Sequence, residues 1–224
     1  MANAKELMAQ LRRELVGVEQ RLFNHRWITA AEAGQLRRED LVLFAGQQYR
    51  IIRSDLRSVA LLVHRFPDPP SGPFLQASLR TETAALEAVL AFGSALGADR
   101  SRLAASPLLA GAQAYTHFLA WLAAYGSDAE MAAGLFVNLP AWGKNCGRLA
   151  AAMRLRYGLR EPDLKFFALF AEEAPGLEEA CLAVIQAGLN RGVTPVAVRQ
   201  AAQLLQEYEL MFWDALAGAT EQPH

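Results

Sequence analysis

Five side chains able to exchange protons or hydrogen bonds, Gln48, Asp55, Glu82, Asn138 and Glu209, stand where the neighbouring residues are apolar at helical spacing. Gln48 and Asp55 interrupt the series Leu41, Phe44, Ile52, Val59, Leu62 and Phe66, and Glu82 interrupts Leu75, Leu79, Leu86, Val89 and Gly93. Asn138 sits among Met131, Leu135, Trp142, Cys146 and Leu149, and Glu209 among Val198, Ala202, Leu205, Phe212 and Leu216. Such stripes face a core, and a carboxylate that leaves water for a core needs a hydrogen bond, a counter-ion, a metal or a solvated cavity, because lost hydration costs several kcal/mol. The set is therefore expected to line one pocket inside a helical bundle, the usual place for a ligand in such proteins. Each residue taken singly reads equally well as a structural hydrogen bond or an exposed helix edge. A buried carboxyl has raised proton affinity, which suits general acid or base chemistry. Tyr49, Tyr115, Trp142, Tyr208, Phe212 and Trp213 neighbour these positions in sequence; their rings suit stacking on a flat ligand, or plain core packing.

The elements that carry these residues read as helices throughout. Leu7, Leu11, Leu15, Val18 and Leu22 mark a first helix ending near Asn24, and residues 30–36 read as a connector into the long helix that bears Gln48 and Asp55. That helix meets the strongest breaker of the chain, PDPPSGP at residues 67–73, where prolines remove backbone donors and restrict the residues before them. The Glu82 helix ends near Gly97. Ser106 and Pro107 read as cap and first position of the next helix, which runs to about Tyr125 and Gly126. Ser127 with Glu130 forms a capping-box pattern for the Asn138 helix, in which Pro140 and Gly143 predict a kink. Shorter helices are expected over 163–173 and 177–189, and the Glu209 helix from Thr194 and Pro195. No strand-like alternation and no internal repeat competes. The expectation is one all-α domain over residues 1–224, with seven to eight helices.

Composition narrows the function classes. Apolar residues make up 53% of the 224, rich in Ala and Leu, which favours helices and supplies a sizeable core. Lys plus Arg number 22 against 23 Asp plus Glu, so the net charge of −1 provides no field for a phosphate backbone, and nucleic acid is not an expected partner. The N-terminal residues lack the apolar run of a signal peptide, and no stretch is apolar for long enough to span a membrane. No membrane partner and a cytoplasmic location are the expectations. Cys146 and Cys181 lack the spacing of a metal site and read as core residues.

Several segments resemble the TenA (thiaminase II) branch of the heme-oxygenase-like fold. NHRWITAAEAGQLRREDLVLFAGQQY at residues 24–49, with His25, Gly34, Leu41, Phe44 and Gln47, resembles its opening; AYT at 114–116 followed by Gly126 and Glu130 resembles its middle; YELMFW at 208–213 resembles its closing helix. The resemblance implies a heme-oxygenase-like bundle that assembles as a homodimer or homotetramer and serves thiamin salvage. Tyr115 and Glu209 match the family's pocket tyrosine and catalytic glutamate. Gln48 stands where a pocket aspartate is expected, Ile51 and Trp142 where tyrosines are expected, and Asn138 where the catalytic cysteine is expected. Asparagine cannot act as the nucleophile that displaces a group from an aminopyrimidine. The resemblance therefore points to the subgroup that relies on glutamate: Glu209 as the catalytic acid or base in hydrolysis of amino- or formylamino-pyrimidines, with Gln48, Asp55, Glu82, Tyr115, Asn138 and Trp142 binding a small planar substrate, and no metal or other cofactor.

Other branches of the fold suggest alternatives. Heme ligation would fall to His25. Di-iron chemistry would start from Glu82, but Val89 replaces the expected histidine, and only His25, His64, His117 and His224 exist. His64 also reads as a favourable helix C-terminal residue, and His117 points away from Tyr115's face. Cofactorless oxidation and ligand binding without turnover complete the set.

Overall fold

The computed structural model describes residues 3–172 and 174–220, and among these every regular element is helical. The ten α-helices are α1 (Ala4–Phe23), α2 (Arg26–Glu32), α3 (Arg38–Arg65), α4 (Ser71–Ala95), α5 (Arg100–Ala104), α6 (Ala110–Tyr125), α7 (Asp128–Tyr157), α8 (Lys165–Ala171), α9 (Leu177–Asn190) and α10 (Pro195–Thr220), with a 3₁₀ turn at Glu161–Leu164 before α8. Ten α-helices replace the expected seven to eight because two short helices escape a stripe reading. α2 and α5 are only 7 and 5 residues long, too short for a repeat, and the 163–173 segment divides into the 3₁₀ turn and α8. Residue 173, the expected end of that segment, and His224 lie outside the described residues.

Local chemistry explains most boundaries. Asn3 caps α1 by accepting the Glu6 N–H. His25 caps α2 with its ring, where Nδ1 accepts the Trp27 N–H at 3.2 Å. Ser127 and Glu130 form the expected reciprocal box at the start of α7, and Thr194 Oγ1 accepts the Ala197 N–H at the start of α10. Ser106 and Pro107 do not open α6. Their carbonyls accept from α3 instead, Ser106 from Arg50 Nη2 at 2.9 Å and Pro107 from Gln47 Nε2 at 2.7 Å, so tertiary hydrogen bonds hold the segment extended and α6 begins at Ala110. α7 runs unbroken through Pro140. Gly143 serves close packing there, since a Cβ on it would lie 2.5 Å from the Phe170 carbonyl oxygen of α8.

The long helices pack pairwise, α3 on α4 and α6, α7 on α10, α9 and α8, and α10 on α6 and α1. Two apolar clusters result. One is aromatic, built around Trp27, Phe44, Phe92, Phe166, Phe167 and Trp213; the other gathers Met8, Leu11, Leu62, Leu75, Phe136 and Val184. Each buried ring or large aliphatic side chain contributes about 1.5–3 kcal/mol. Tyr115 borders both clusters. Cys146 and Cys181 are buried free thiols, as their apolar surroundings in sequence suggest. Among the described residues no helix is long and apolar enough to cross a membrane.

Candidate functional site

Where the two clusters meet, six helices enclose a cavity of about 80 Å³. α3 turns one face to it, Gln48, Ile51, Ile52 and Asp55, a spacing of three, one and three that follows two helical turns. α7 does the same with Leu135, Asn138, Leu139 and Trp142. Glu82 enters from α4, Tyr115 from α6, Phe170 from α8, and Glu209 with Phe212 from α10. All seven side chains expected to bind or act on the substrate, Gln48, Asp55, Glu82, Tyr115, Asn138, Trp142 and Glu209, thus line one cavity, although they come from five helices and span 162 positions of the chain (48 to 209, inclusive). Its volume exceeds the roughly 10–15 Å³ that a single water needs and suits a small ring compound.

Glu209 is the best-held carboxyl. Its Oε1 accepts the indole N–H of Trp213 at 3.1 Å, and its Oε2 accepts from Nδ2 of Asn138, which also donates to Gln206 Oε1 at 3.3 Å. Burial nevertheless dominates and pushes its pKa from the ordinary 4.5 up to about 8, against the two hydrogen bonds, which favour the anion. Near neutral pH the group is therefore mostly a carboxylic acid, able to give a proton and, once ionised, to take one.

Asp55 and Glu82 form a second acidic locus. Asp55 is 2% exposed and accepts the Thr116 hydroxyl at Oδ1. Burial raises its pKa despite that bond. Glu82 is partly buried as a residue and lines the cavity; burial of its carboxyl first, and the Asp55 charge second, raise its pKa well above the usual range. The phenol of Tyr115 is shifted up by burial and then by Asp55, Glu82 and Glu209 together, so all three carboxyls act on one hydroxyl. Among the described residues no Arg, Lys or His lines the cavity.

Among the described residues no group of three or more His, Cys, Asp or Glu side chains is arranged to hold a metal ion. His25 is not part of this cavity: besides capping α2, its Nε2 lies 3.1 Å from Asp214 Oδ1, so both ring nitrogens are engaged, and burial lowers its pKa. Cys146 is fully buried outside the cavity lining; burial, then the Glu209 charge, raises its thiol pKa well above normal, opposite to what a thiolate nucleophile needs. Of the other aromatic residues singled out, Phe212 lines the cavity and Trp213 holds Glu209 from behind, whereas Tyr49 and Tyr208 lie outside the lining. Tyr49 has the Arg53 guanidinium over its ring at 5.4 Å, and Tyr208 packs edge-on to Phe118. Gln47 is structural, donating to the Pro107 carbonyl and accepting from the Gln113 amide at 3.2 Å.

Thr116 and Phe170 escape the sequence reading, and Trp213, read there as a stacking or core ring, was not read as a partner of Glu209. That pairing was within reach, since Glu209 and position 213 are four apart and therefore stacked on one helix face. Thr116 bonds across 61 positions and Phe170 rides on a helix of 7 residues, so neither leaves a local signal.

Known structures share this architecture. A TenA homologue from Pseudomonas syringae pv. tomato str. DC3000 superposes with a TM-score of 0.80 at 15% identity, covering 94% of this chain and 92% of that one. A TenA homologue from P. horikoshii OT3 gives 0.76 at 16% identity, with 95% and 99% covered. A domain with a heme oxygenase-like fold from Shewanella denitrificans OS217 gives 0.73 at 14% identity, with 98% and 94% covered. These likenesses establish the heme-oxygenase-like fold. No curated protein matches the sequence at comparable significance. The sequence model of the TENA/THI-4/PQQC family matches residues 12–219, nearly the whole chain, and the protein is a member of that family.

Proposed function

We propose that the cavity binds a small planar, aminopyrimidine-like ligand and that the protein hydrolyses an amino- or formylamino-pyrimidine without a cysteine nucleophile. The carrying observation is Glu209, a cavity-lining carboxyl fixed by Asn138 and Trp213 with its pKa raised to about 8. Membership of a family whose structural relatives are TenA proteins supports a thiaminase II-like or related activity. Asn138 occupies the place where the resemblance expects the nucleophile, and no cysteine lines the cavity.

On a formylamino substrate, the ionised form of Glu209 accepts a proton from water while the water oxygen adds to the formyl carbon. The same group then returns that proton to the ring-bound nitrogen as the carbon–nitrogen bond breaks, releasing formate and the amine. The aromatic walls at Trp142 and Phe212 hold the ring. The chemistry asks for no metal or cofactor. Expected partners remain a small planar ligand and further copies of this chain, as a homodimer or homotetramer in the cytoplasm.

Glu209→Gln is the test. Turnover of a formylaminopyrimidine should fall by about 10²–10⁴, the usual worth of a general acid–base, while binding of the substrate by calorimetry persists. Binding without turnover in the wild-type protein would instead establish a non-catalytic binding protein.

A further inference from the structure

We infer that the outward face of α6 is the surface on which two copies of this chain meet, about a two-fold axis running along α6, with Arg57 of each copy against Glu207 of the other. The assembly expected under the proposed function thereby gains a place, and nothing in it depends on what the cavity binds.

Among the described residues α6 is the one helix without an Asp, Glu, Lys or Arg. A helix free of charge all round belongs in an interior. Yet His117, Ala120, Trp121, Ala124 and Tyr125, at steps of three and one along one side of α6, are exposed. Six of the ten exposed large apolar side chains among the described residues gather here: Trp121 at 49% and Tyr125 at 77% on α6, Leu108 on the segment leading into it, Leu61 on α3, and Leu204 and Met211 on α10. They expose roughly 500 Å² of side chain, at the upper end of what a monomer leaves open in one patch and most of the roughly 800 Å² per partner that a stable dimer covers. The rings are already held: Trp121 stacks on Phe118 at 5.9 Å, and Phe118 meets the Tyr208 ring at 5.4 Å. Rigid aromatic anchors of this kind lose little freedom on docking.

The flanks of the face carry opposite charge. Arg50 of α3 donates to the Ser106 carbonyl before α6, and Arg65 to the Ala123 and Gly126 carbonyls at its end, so α3 runs beside α6 in the same direction. Arg57 and Leu61 fall on the α3 stripe between those two contacts. On the other side Tyr208 packs on Phe118, and a Cβ on Gly111 would lie 2.8 Å from the Met211 carbonyl oxygen, so α10 runs in the opposite direction, with Leu204, Glu207 and Met211 exposed along its outer ridge. Arg57 and Glu207 are exposed, and among the described residues neither makes a hydrogen bond or an ion pair. Arg57 stands midway between the two α3 contacts, and Glu207 beside Tyr208 at the level of Phe118, so both lie near the middle of α6 on opposite sides of it. Rotation about an axis along α6 exchanges the two sides and sets each Arg57 beside the partner's Glu207. Rotation about an axis across α6 would set α10 on α10 and bring the two Glu207 carboxylates together without a counter-charge. The charge pattern selects the first.

The test is analytical ultracentrifugation of the full chain at micromolar concentration, read as the dissociation constant of the assembly. The wild type should be a dimer, or a tetramer that contains this contact. Trp121→Glu combined with Tyr125→Glu places charge in the apolar centre and should weaken association by at least about a hundredfold, leaving monomer from a dimer or dimer from a tetramer, with helix content by circular dichroism unchanged. Arg57→Glu and Glu207→Arg, each alone, should weaken association by about tenfold or more, because each sets like charges together at both symmetric contacts. The double reversal should restore it to within about threefold of the wild type. A monomeric wild type, which leaves the face to a partner of another kind, overturns the inference, and so does an assembly untouched by the two glutamates. Single reversals without effect, or a double reversal that fails to restore association, overturn the axis and the pairing. None of the four positions lines the cavity, so any of these failures leaves the ligand reading standing.

Discussion

Replacing Glu209 by Gln should make the protein more stable at pH 8 than the wild type, by an amount that grows with pH. The carboxyl's pKa rises from 4.5 in the unfolded chain to about 8 in the fold, chiefly through burial. A group whose folded pKa is raised contributes stability that is complete below pH 4.5 and is lost as pH climbs to about 8. The slope in that window is about 1.4 kcal/mol per pH unit, so the wild type gives up about 3 kcal/mol by pH 7, about 4 kcal/mol by pH 8 and about 5 kcal/mol well above it. Glutamine carries no titrating proton and lacks this loss. It has one acceptor oxygen where the carboxylate has two, so either Trp213 or Asn138 loses its acceptor, at about 1 kcal/mol. Urea unfolding of both proteins at pH 5, 6, 7 and 8, with equal m-values, isolates the difference, because Glu209 is not among the causes that shift Asp55 and Glu82, and Tyr115 and Cys146, which its charge does shift, stay protonated throughout this range. The variant should be slightly the weaker at pH 5 and clearly the stronger at pH 8. Parallel stability curves over this range would refute the account of a buried, uncompensated acid at position 209.

Trp213→Phe removes the N–H that favours the Glu209 anion, so the acid limb of the pH–rate profile should move to higher pH, with stability lower by about 1–3 kcal/mol; an unmoved limb would separate the indole from the site. Arg191→Ala leaves Asp128 buried beside Ser71 without its cation and should cost about 2–3 kcal/mol in a denaturant titration, less than a fully buried pair because Arg191 is half-exposed. Gly143→Ala drives a Cβ to 2.5 Å from the Phe170 carbonyl; displacing α8, which carries a cavity wall, should cost about 1–3 kcal/mol and weaken ligand binding together, as read by thermal melting and calorimetry.

The all-helical class, the stripes and several caps were legible from local sequence, because a helix's face is decided by residues three and four apart and a cap by residues within one turn. The capping box at Ser127 and Glu130 and the Thr194 cap are of this kind. The polar residues out of place on apolar stripes were visible for the same reason, and so was the family resemblance, which the match over residues 12–219 substantiates. Ser106 shows the limit: its local pattern says helix cap, but the segment's carbonyls are claimed by Gln47 and Arg50 of α3, which no window around residue 106 contains. α2 and α5 were missed because stripes need more than two turns to show.

What each carboxyl meets was decided only in three dimensions. Sequence marks Asp40, Asp55, Asp128, Glu82 and Glu209 alike as acids on helices; packing gives Asp40 and Asp128 an arginine, Glu209 an indole and an amide, and Asp55 with Glu82 only each other and a threonine. Helical periodicity states which way a side chain leaves its own helix, while its partners depend on how helices distant in the chain cross, and the chemistry of a buried acid depends on those partners.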